Sequence, residues 1–378
     1  MNPALNLTVL AVWKADTYRF MVPVIIGLVF LAFLANAAVL LAARYVAANR
    51  LHATLKMTIS LAVSDIWTSF FIAVSLVYNS YLPAVHHIPG DACTALTLEI
   101  FRSGGLFTGI LHLLGLAFNH YLSIAYPFRY AVLLNARNTA VLLVLMWVSP
   151  PVGYLLYASV LPEQGYRSPN GTCANLDLWK TFAFRLTNSL LILFLLILML
   201  IFYANVLLAL RRLRLTMGDK RGSSRQNLGR ERRMFVTTML ICGTFFLGWF
   251  PAMLQFLLTC ADCPLAHDLA RLDLRTSKIL VAVSFLQLVF IMVKSIANPV
   301  VYAVRIPEIK EQFARLTNRF RVMLGKPPLP LPRSGVTQNE PSRLATRPMQ
   351  PSCADNQAVS PGTETTPFLN GKQQETVL

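Results

Sequence analysis

Few residues capable of polar chemistry lie inside the long apolar stretches of this chain, and they frame the question of function. Lys294 stands in the middle of IMVKSIANPVVYAV, Ile291–Val304. An ammonium in hydrocarbon is costly and is retained where it has a partner or a purpose. Asp65 stands within the apolar run Met57–Tyr81. By the helical rise, Asp65 lies about 14 Å from Lys56 at the end of its run and Lys294 about 16 Å from Arg305, so the two opposite charges sit at similar depth. Glu99 and Arg102, three residues apart, share a helical face and fit either a mutual ion pair or an anchor for an anionic ligand. No grouping of metal ligands, and no nucleophile beside a base, is evident within the apolar runs. That pattern argues against an enzyme and calls for no cofactor.

The elements that must position these residues follow from composition. The chain has 378 residues, 55% of them hydrophobic and only 13% charged, where a soluble domain carries about 25% charged residues. The mean hydropathy is +0.53. Seven runs are long and apolar enough to span a bilayer: Phe20–Ala43, Met57–Tyr81, Leu96–Tyr121, Thr139–Val160, Phe182–Leu210, Phe235–Leu258 and Ile279–Val304. The expected fold is all-α, a seven-helix membrane bundle over residues 20–304. Residues 1–19 form an outer N-terminus, with no basic n-region to mark a cleavable signal.

The net charge of +17 would point to nucleic acid in a soluble protein, but the cations cluster in alternate connections. Arg211, Arg212, Arg214, Lys220, Arg221, Arg225, Arg230, Arg232 and Arg233 fill the fifth connection, and Arg305, Lys310, Arg315, Arg319 and Arg321 follow the seventh run. This is the inner-leaflet bias of a membrane protein, which places the N-terminus outside and excludes a nucleic-acid partner. The sequons at Asn6 and Asn170 both fall on the outer side, where glycosylation occurs. Cys93 and Cys173 are also outside, where a disulfide between them is expected. Cys260 and Cys263, in TCADCPL, are expected to close a small outer disulfide loop, with zinc binding alongside His267 the alternative. Residues 305–325 alternate apolar and basic at helical spacing and read as an amphipathic helix on the inner membrane surface. Residues 326–378, rich in Pro, Ser, Thr, Gln and Asn, read as a disordered tail. Its end, Thr376-Val377-Leu378, fits a PDZ-domain ligand.

Seven spans with an outer N-terminus, and their motifs in order, resemble the rhodopsin-like G-protein-coupled receptors. The motifs are Asn36 with Val39, LAVSD ending at Asp65, Trp147, Phe245 with Trp249 and Pro251 in GWFP, and NPVVY from Asn298 to Tyr302. The resemblance covers about residues 20–320. It implies that an extracellular ligand drives the inner end of helix six outward toward a heterotrimeric G protein, with arrestin a further partner. Trp249 then resembles the rotamer switch below the ligand, Pro251 the kink, Ile110 and Phe245 two core trigger positions, and Tyr203 and Tyr302 the tyrosines that approach on opening. The missing helix-five proline, with Leu195 in its place, the outer CADC and the YAVRIPEIKEQF ending resemble the adenosine, melanocortin and cannabinoid group.

Departures from the family pattern are informative. Asn119-His120-Tyr121 replaces the acid-Arg-Tyr triplet, so a neutral His120 would offer Glu231 a hydrogen bond where the family forms an ion pair. Resting-state locking and standard coupling are thereby called into question. A receptor-like protein with weak coupling is one alternative, and a transporter a more remote one, since paired broken helices are absent. Arg102 stands where aminergic receptors carry an Asp, which disfavours a monoamine and leaves a peptide, lipid or nucleoside-like ligand. The candidate ligand contacts are Glu99, Arg102, Trp249 and Gln255. Asp65 matches the family's sodium-site acid, and Lys294 precedes Asn298 by one turn, on the face the motif turns inward. We therefore expect Lys294 to pair with Asp65 in the place of sodium, with Gly109 supplying no side-chain oxygen. An opsin-like Schiff base fails on spacing, because a two-residue difference turns the side chain by about 200°.

Overall fold

The computed structural model describes residues 3–217 and 274–331, with residues 239, 243, 246, 248–251, 253, 254, 256 and 257 between them. The long helices are α1 Pro3–Arg44, α2 Ala53–Leu76, α3 Ala92–Ala125, α4 Ala136–Val160 and α5 Phe182–Met217. The described positions between 239 and 257 are all helical and are called α6. Then come α7 Leu274–Arg305 and α8 Pro307–Met323. No strand occurs among the described residues. Six described helices are long and apolar enough to cross a membrane; most of the sixth expected span lies outside the described residues.

Burial is arranged for a hydrocarbon solvent. Phe30, Leu34, Val144, Leu155, Phe194 and Leu200 point outward and are exposed, while Asn36, Ser64, Asp65, His112, Asn119, Lys294 and Asn298 are buried within the bundle. Exposure of so much apolar surface would be unfavourable in water, and in lipid it costs nothing. Helix α3 is central, packed against α2, α4 and α5, whereas α1 joins α2 and α7. Close approach depends on small residues: a Cβ on Gly105 of α3 would come within 2.7 Å of the Trp67 ring on α2. A Cβ on Gly104 would meet the Pro151 backbone of α4 at 3.0 Å.

The helices outrun the apolar stretches that predict them. α1 starts at Pro3 rather than Phe20, so the expected outer N-terminus is helical from Pro3 onward. Hydropathy marks where lipid begins, while the hydrogen-bond ladder continues until a cap or breaker stops it. Asp91 caps α3, its Oδ2 accepting from the Thr94 backbone N–H at 2.7 Å, and Asn135 caps α4, its Oδ1 accepting from Asn138 N–H at 2.8 Å. The exposed Asp91 carboxyl is held below its ordinary pKa, chiefly by that Thr94 backbone bond. Near its outer end α2 passes into a π-helical turn, Val77–Tyr81.

The amphipathic helix expected after α7 is present as α8, and it is tied to the rest of the inner face. Glu311 is buried and accepts from Arg50 Nη1 at 3.1 Å, in the first inner connection, and from Arg315 Nη2 at 2.6 Å. The expectation of disorder from residue 326 needs correction at its start. Leu329 N–H donates to Asn318 Oδ1 and Asn318 Nδ2 donates to Leu329 O, both at 2.8 Å, and Arg321 Nε donates to Pro327 O at 2.9 Å. Composition identifies a segment unable to build a core, but a helix already in place can still hold it. Residues 332–378, including Thr376-Val377-Leu378, lie outside the described residues.

Candidate functional site

Lys294 on α7 and Asp65 on α2 face each other in the middle of the bundle. Lys294 Nζ lies 3.4 Å from Asp65 Oδ1, and Asn298 Nδ2 donates to Asp65 Oδ2 at 2.8 Å. Both charged residues are buried, at 7% and 5% relative exposure, so each depends on the other for neutralisation. The turn of helix between Lys294 and Asn298 lets one carboxylate receive both. Asn36 Nδ2 donates to Ser295 O at 3.2 Å and ties α1 to the same turn of α7.

A sodium ion does not fit here. An ammonium already stands beside the carboxylate, Gly109 offers no side-chain oxygen, and the adjoining cavity measures only about 20 Å³. That volume is on the scale of a single water molecule, too small for a hydrated cation. Ile110 and Trp249 line this cavity with Asp65 and Lys294.

Above it lies a cavity of about 410 Å³ between α3, α4, α5, α6 and α7. Trp249 lines both cavities and so forms part of the wall between them. The upper chamber is aromatic, with Tyr154, Trp179 and Phe184 packed as a cluster. Glu99 and Arg102 stand at its edge as an ion pair. Arg102 Nε donates to Glu99 Oε2 at 2.9 Å, and Arg102 Nη2 pairs with Glu99 Oε1. The same two residues line a second cavity of about 210 Å³, alongside Tyr18, Ser75, Asn79 and Phe285. The pair therefore partitions two adjoining spaces. Arg185 also lines the larger one; it donates from Nε to Trp179 O at 2.9 Å and from Nη1 to Phe256 O at 3.0 Å, and lies 4.6 Å over the Phe256 ring.

Cys93 and Cys173 are joined by a disulfide that ties the start of α3 to the connection between α4 and α5. Asn170 is exposed in that connection at φ 63°, a conformation asparagine tolerates better than most residues. Asn6 lies on the helical backbone of α1, its side chain outside the described part.

At the inner end of α3, Asn119 bridges three elements. Its Nδ2 donates to Thr54 Oγ1 on α2 at 2.8 Å, and its Oδ1 accepts from Tyr130 O–H at 3.0 Å on the short helix Pro127–Leu133. Half-burial raises the Tyr130 phenol pKa, which keeps it a donor across the physiological range. His120 is buried beside it, and Tyr121 stacks on Phe202 of α5 at 5.5 Å. Tyr203 and Tyr302 are both 1% exposed, in one apolar cluster with Ile110. Pro251 lies on α6, where Gln287 Nε2 of α7 reaches its carbonyl at 3.3 Å. Phe245, Gln255, Glu231, Cys260 and Cys263 lie outside the described residues.

A buried polar chain escaped the sequence reading. His112 Nδ1 lies 2.8 Å from the Thr108 carbonyl, which can only accept, so the neutral ring carries its proton there. His112 Nε2 then accepts from Ser60 O–H at 2.8 Å, and Ser60 Oγ accepts from Trp147 Nε1–H at 2.9 Å. The side-chain polar atoms of His112, Ser60 and Trp147 all have partners in this chain, the signature of a structural histidine. The Trp179–Phe184 wall was missed as well. Its aromatics come from a loop and a helix end, so no periodicity announces them.

The sequence model described as "7 transmembrane receptor (rhodopsin family)" matches residues 35–302. The human protein named "Olfactory receptor 10G2" is 32% identical over 110 residues, which cover 29% of this chain and 34% of the relative. The chain thus spans about a third of that relative's length, and the match does not single out the adenosine, melanocortin and cannabinoid group. With a family match that takes in α2 to α7, the chain belongs to the rhodopsin family of seven-transmembrane receptors, which are multi-pass membrane proteins and not enzymes.

Proposed function

We propose that the chain is a ligand-gated receptor in which an extracellular ligand occupies the cavity between the Glu99–Arg102 pair and Trp249. The observation that carries the reading is that Trp249 belongs to the walls of two cavities, the large one open to a ligand and the small one beside Asp65 and Lys294. A ligand pressing on the indole would act on the polar centre below, and through Pro251 on the inner end of α6, where a G protein docks. Arrestin would read the same opening. Lys294 takes the place that sodium holds elsewhere in the family and keeps Asp65 neutralised in the resting state.

The ion pair constrains the ligand's chemistry. A purely anionic ligand would draw Arg102 away and strand Glu99 in a shielded site, and a purely cationic one would strand Arg102. Removing one partner of a buried pair costs about 3–5 kcal/mol, less where water reaches, as it does here. A ligand bearing both signs a few atoms apart replaces both partners at once. A peptide terminus or a zwitterionic headgroup, with an apolar or aromatic body for the Trp179–Phe184 chamber, fits better than an uncharged nucleoside.

The test is a screen of peptides, lipids and nucleosides against cells expressing the receptor, read by cAMP, calcium and arrestin recruitment. Responses to a hit should vanish in Arg102→Glu and fall in Glu99→Gln. A response unaltered by both would overturn the placement of the ligand. Loss of arrestin and G-protein signals in the unaltered receptor, with binding retained, would favour the weakly coupled reading motivated by Asn119-His120.

A further inference from the structure

The segment that leaves α8 is built as a ligand in its own right. Lys326-Pro327-Pro328-Leu329-Pro330-Leu331-Pro332 contains four prolines, and each of the other residues directly precedes one. Proline fixes φ near −65°, and a residue before proline is pushed to the extended or polyproline region. Lys326, Pro327, Leu329 and Leu331, each preceding a proline, are therefore pushed by local sterics to the extended or polyproline region, and the prolines among residues 326–331 keep φ near −65°.

The helix end aims this segment. Gly325 takes φ 69°, Lys326 N–H donates to Arg321 O at 2.8 Å and Gly325 N–H donates to Val322 O at 3.0 Å. These are the paired bonds of a Schellman cap, which reverses the chain. The prolines then run back beside the last turns of α8, held at Pro327 by Arg321 and at Leu329 by both polar atoms of the Asn318 amide. Residues 326–331 are nevertheless exposed, and Leu329 and Leu331 show about half of their surface, at 51% and 47%.

Strand addition is closed to such a segment. Only Lys326, Leu329 and Leu331 possess backbone N–H groups, and those of Lys326 and Leu329 are already bonded. Recognition through the exposed side faces, by aromatic grooves that accept a preformed polyproline helix, remains open. The ordering cost of binding is largely met in advance by the prolines and the two tethers.

We propose that Lys326–Leu331 is a docking segment for a cytosolic adaptor of the SH3 or WW type, presented at a fixed position off the end of α8. Such a contact would place the adaptor beside the face on which a G protein docks, independently of the ligand cavity. The charge pattern that places this end inside the cell is the only part of the receptor reading it uses.

The experiment takes the full-length receptor in lipid nanodiscs against a panel of purified SH3 and WW domains, with affinities read by biolayer interferometry. At least one domain should bind, and the combined variant Pro327→Ala, Pro328→Ala and Pro330→Ala should weaken it tenfold or more, with the receptor's melting temperature unchanged. Binding by no domain, or binding that survives the triple variant, overturns the proposal. So does a fluorophore at Leu331→Cys that is quenched from within the lipid, because the segment would then lie in the membrane rather than face an adaptor.

Discussion

Replacing Lys294 by Met removes one charge from a buried pair and keeps most of the side-chain volume. At the observed 3.4 Å, two unit charges attract by about 5 kcal/mol at an effective dielectric constant of 20. Measured losses on removing one member of a buried pair fall at about 3–5 kcal/mol. Asp65 keeps its bond from Asn298 Nδ2 at 2.8 Å, which offsets part of the loss. A loss of this size lowers the melting temperature of a large domain by on the order of 10 °C. The stranded carboxylate must then find a proton or a cation. Lys294→Met should therefore acquire a stabilisation by sodium, measured as the difference in melting temperature between sodium and choline chloride at equal ionic strength. The unaltered receptor should show none. Adding Asp65→Asn to Lys294→Met removes both charges and should restore most of the lost stability, giving a coupling energy of about 2 kcal/mol or more in the double-mutant cycle. Sodium-specific stabilisation of the unaltered receptor would refute the reasoning, as would a double variant whose loss equals the sum of the two single losses.

Two further perturbations probe the inner face. Glu311→Gln weakens the bonds to Arg50 and Arg315 and leaves two guanidinium groups without their carboxylate. Charge-assisted bonds contribute about 1.5–3 kcal/mol, so amide exchange in Pro307–Met323 should rise by about tenfold or more while exchange in the core of α3 stays constant; unaltered exchange in α8 would show that the tether does not hold it. Tyr130→Phe removes the donor to Asn119 Oδ1 and should cost about 1–3 kcal/mol, seen as a lower melting temperature and faster exchange in Pro127–Leu133. The phenol's folded pKa is raised, so its contribution is fully present below the unfolded value near 10 and is lost as pH rises through the folded one. The melting temperature of the unaltered receptor should hence fall more steeply at alkaline pH than that of Tyr130→Phe, and identical profiles would show that the Tyr130 phenol is not buried.

The parts of this molecule that were legible in its sequence share one property: they depend on positions along a single helix. Apolar runs place the spans, because hydrocarbon selects residues one at a time. Depth along two spans puts Asp65 and Lys294 at one level, since each counts its own rise from a basic inner end. The i,i+3 spacing alone allows Glu99 to meet Arg102. Where a feature depends on the rotation of one helix against another, the sequence is silent. Ser60, His112 and Trp147 stand on three different helices, and Arg50 meets Glu311 across 261 residues. Their contacts depend on interaxial distance, which residues such as Gly104 and Gly105 set by letting backbones approach.

The same distinction explains why the sequence leaves the role of Arg102 open. Spacing permits Arg102 either to pair with Glu99 or to wait for an anion, and nothing along α3 decides between them. In the structure Arg102 pairs with Glu99, and both charges border both cavities. If the ligand binds where we propose, an anchor already neutralised cannot select a lone anion without stranding its partner, and specificity comes from a ligand that matches the pair. The geometry of the partition, more than the sign of either charge, is then what a ligand reads, and charge exchange between positions 99 and 102 should preserve more response than reversal at Arg102 alone.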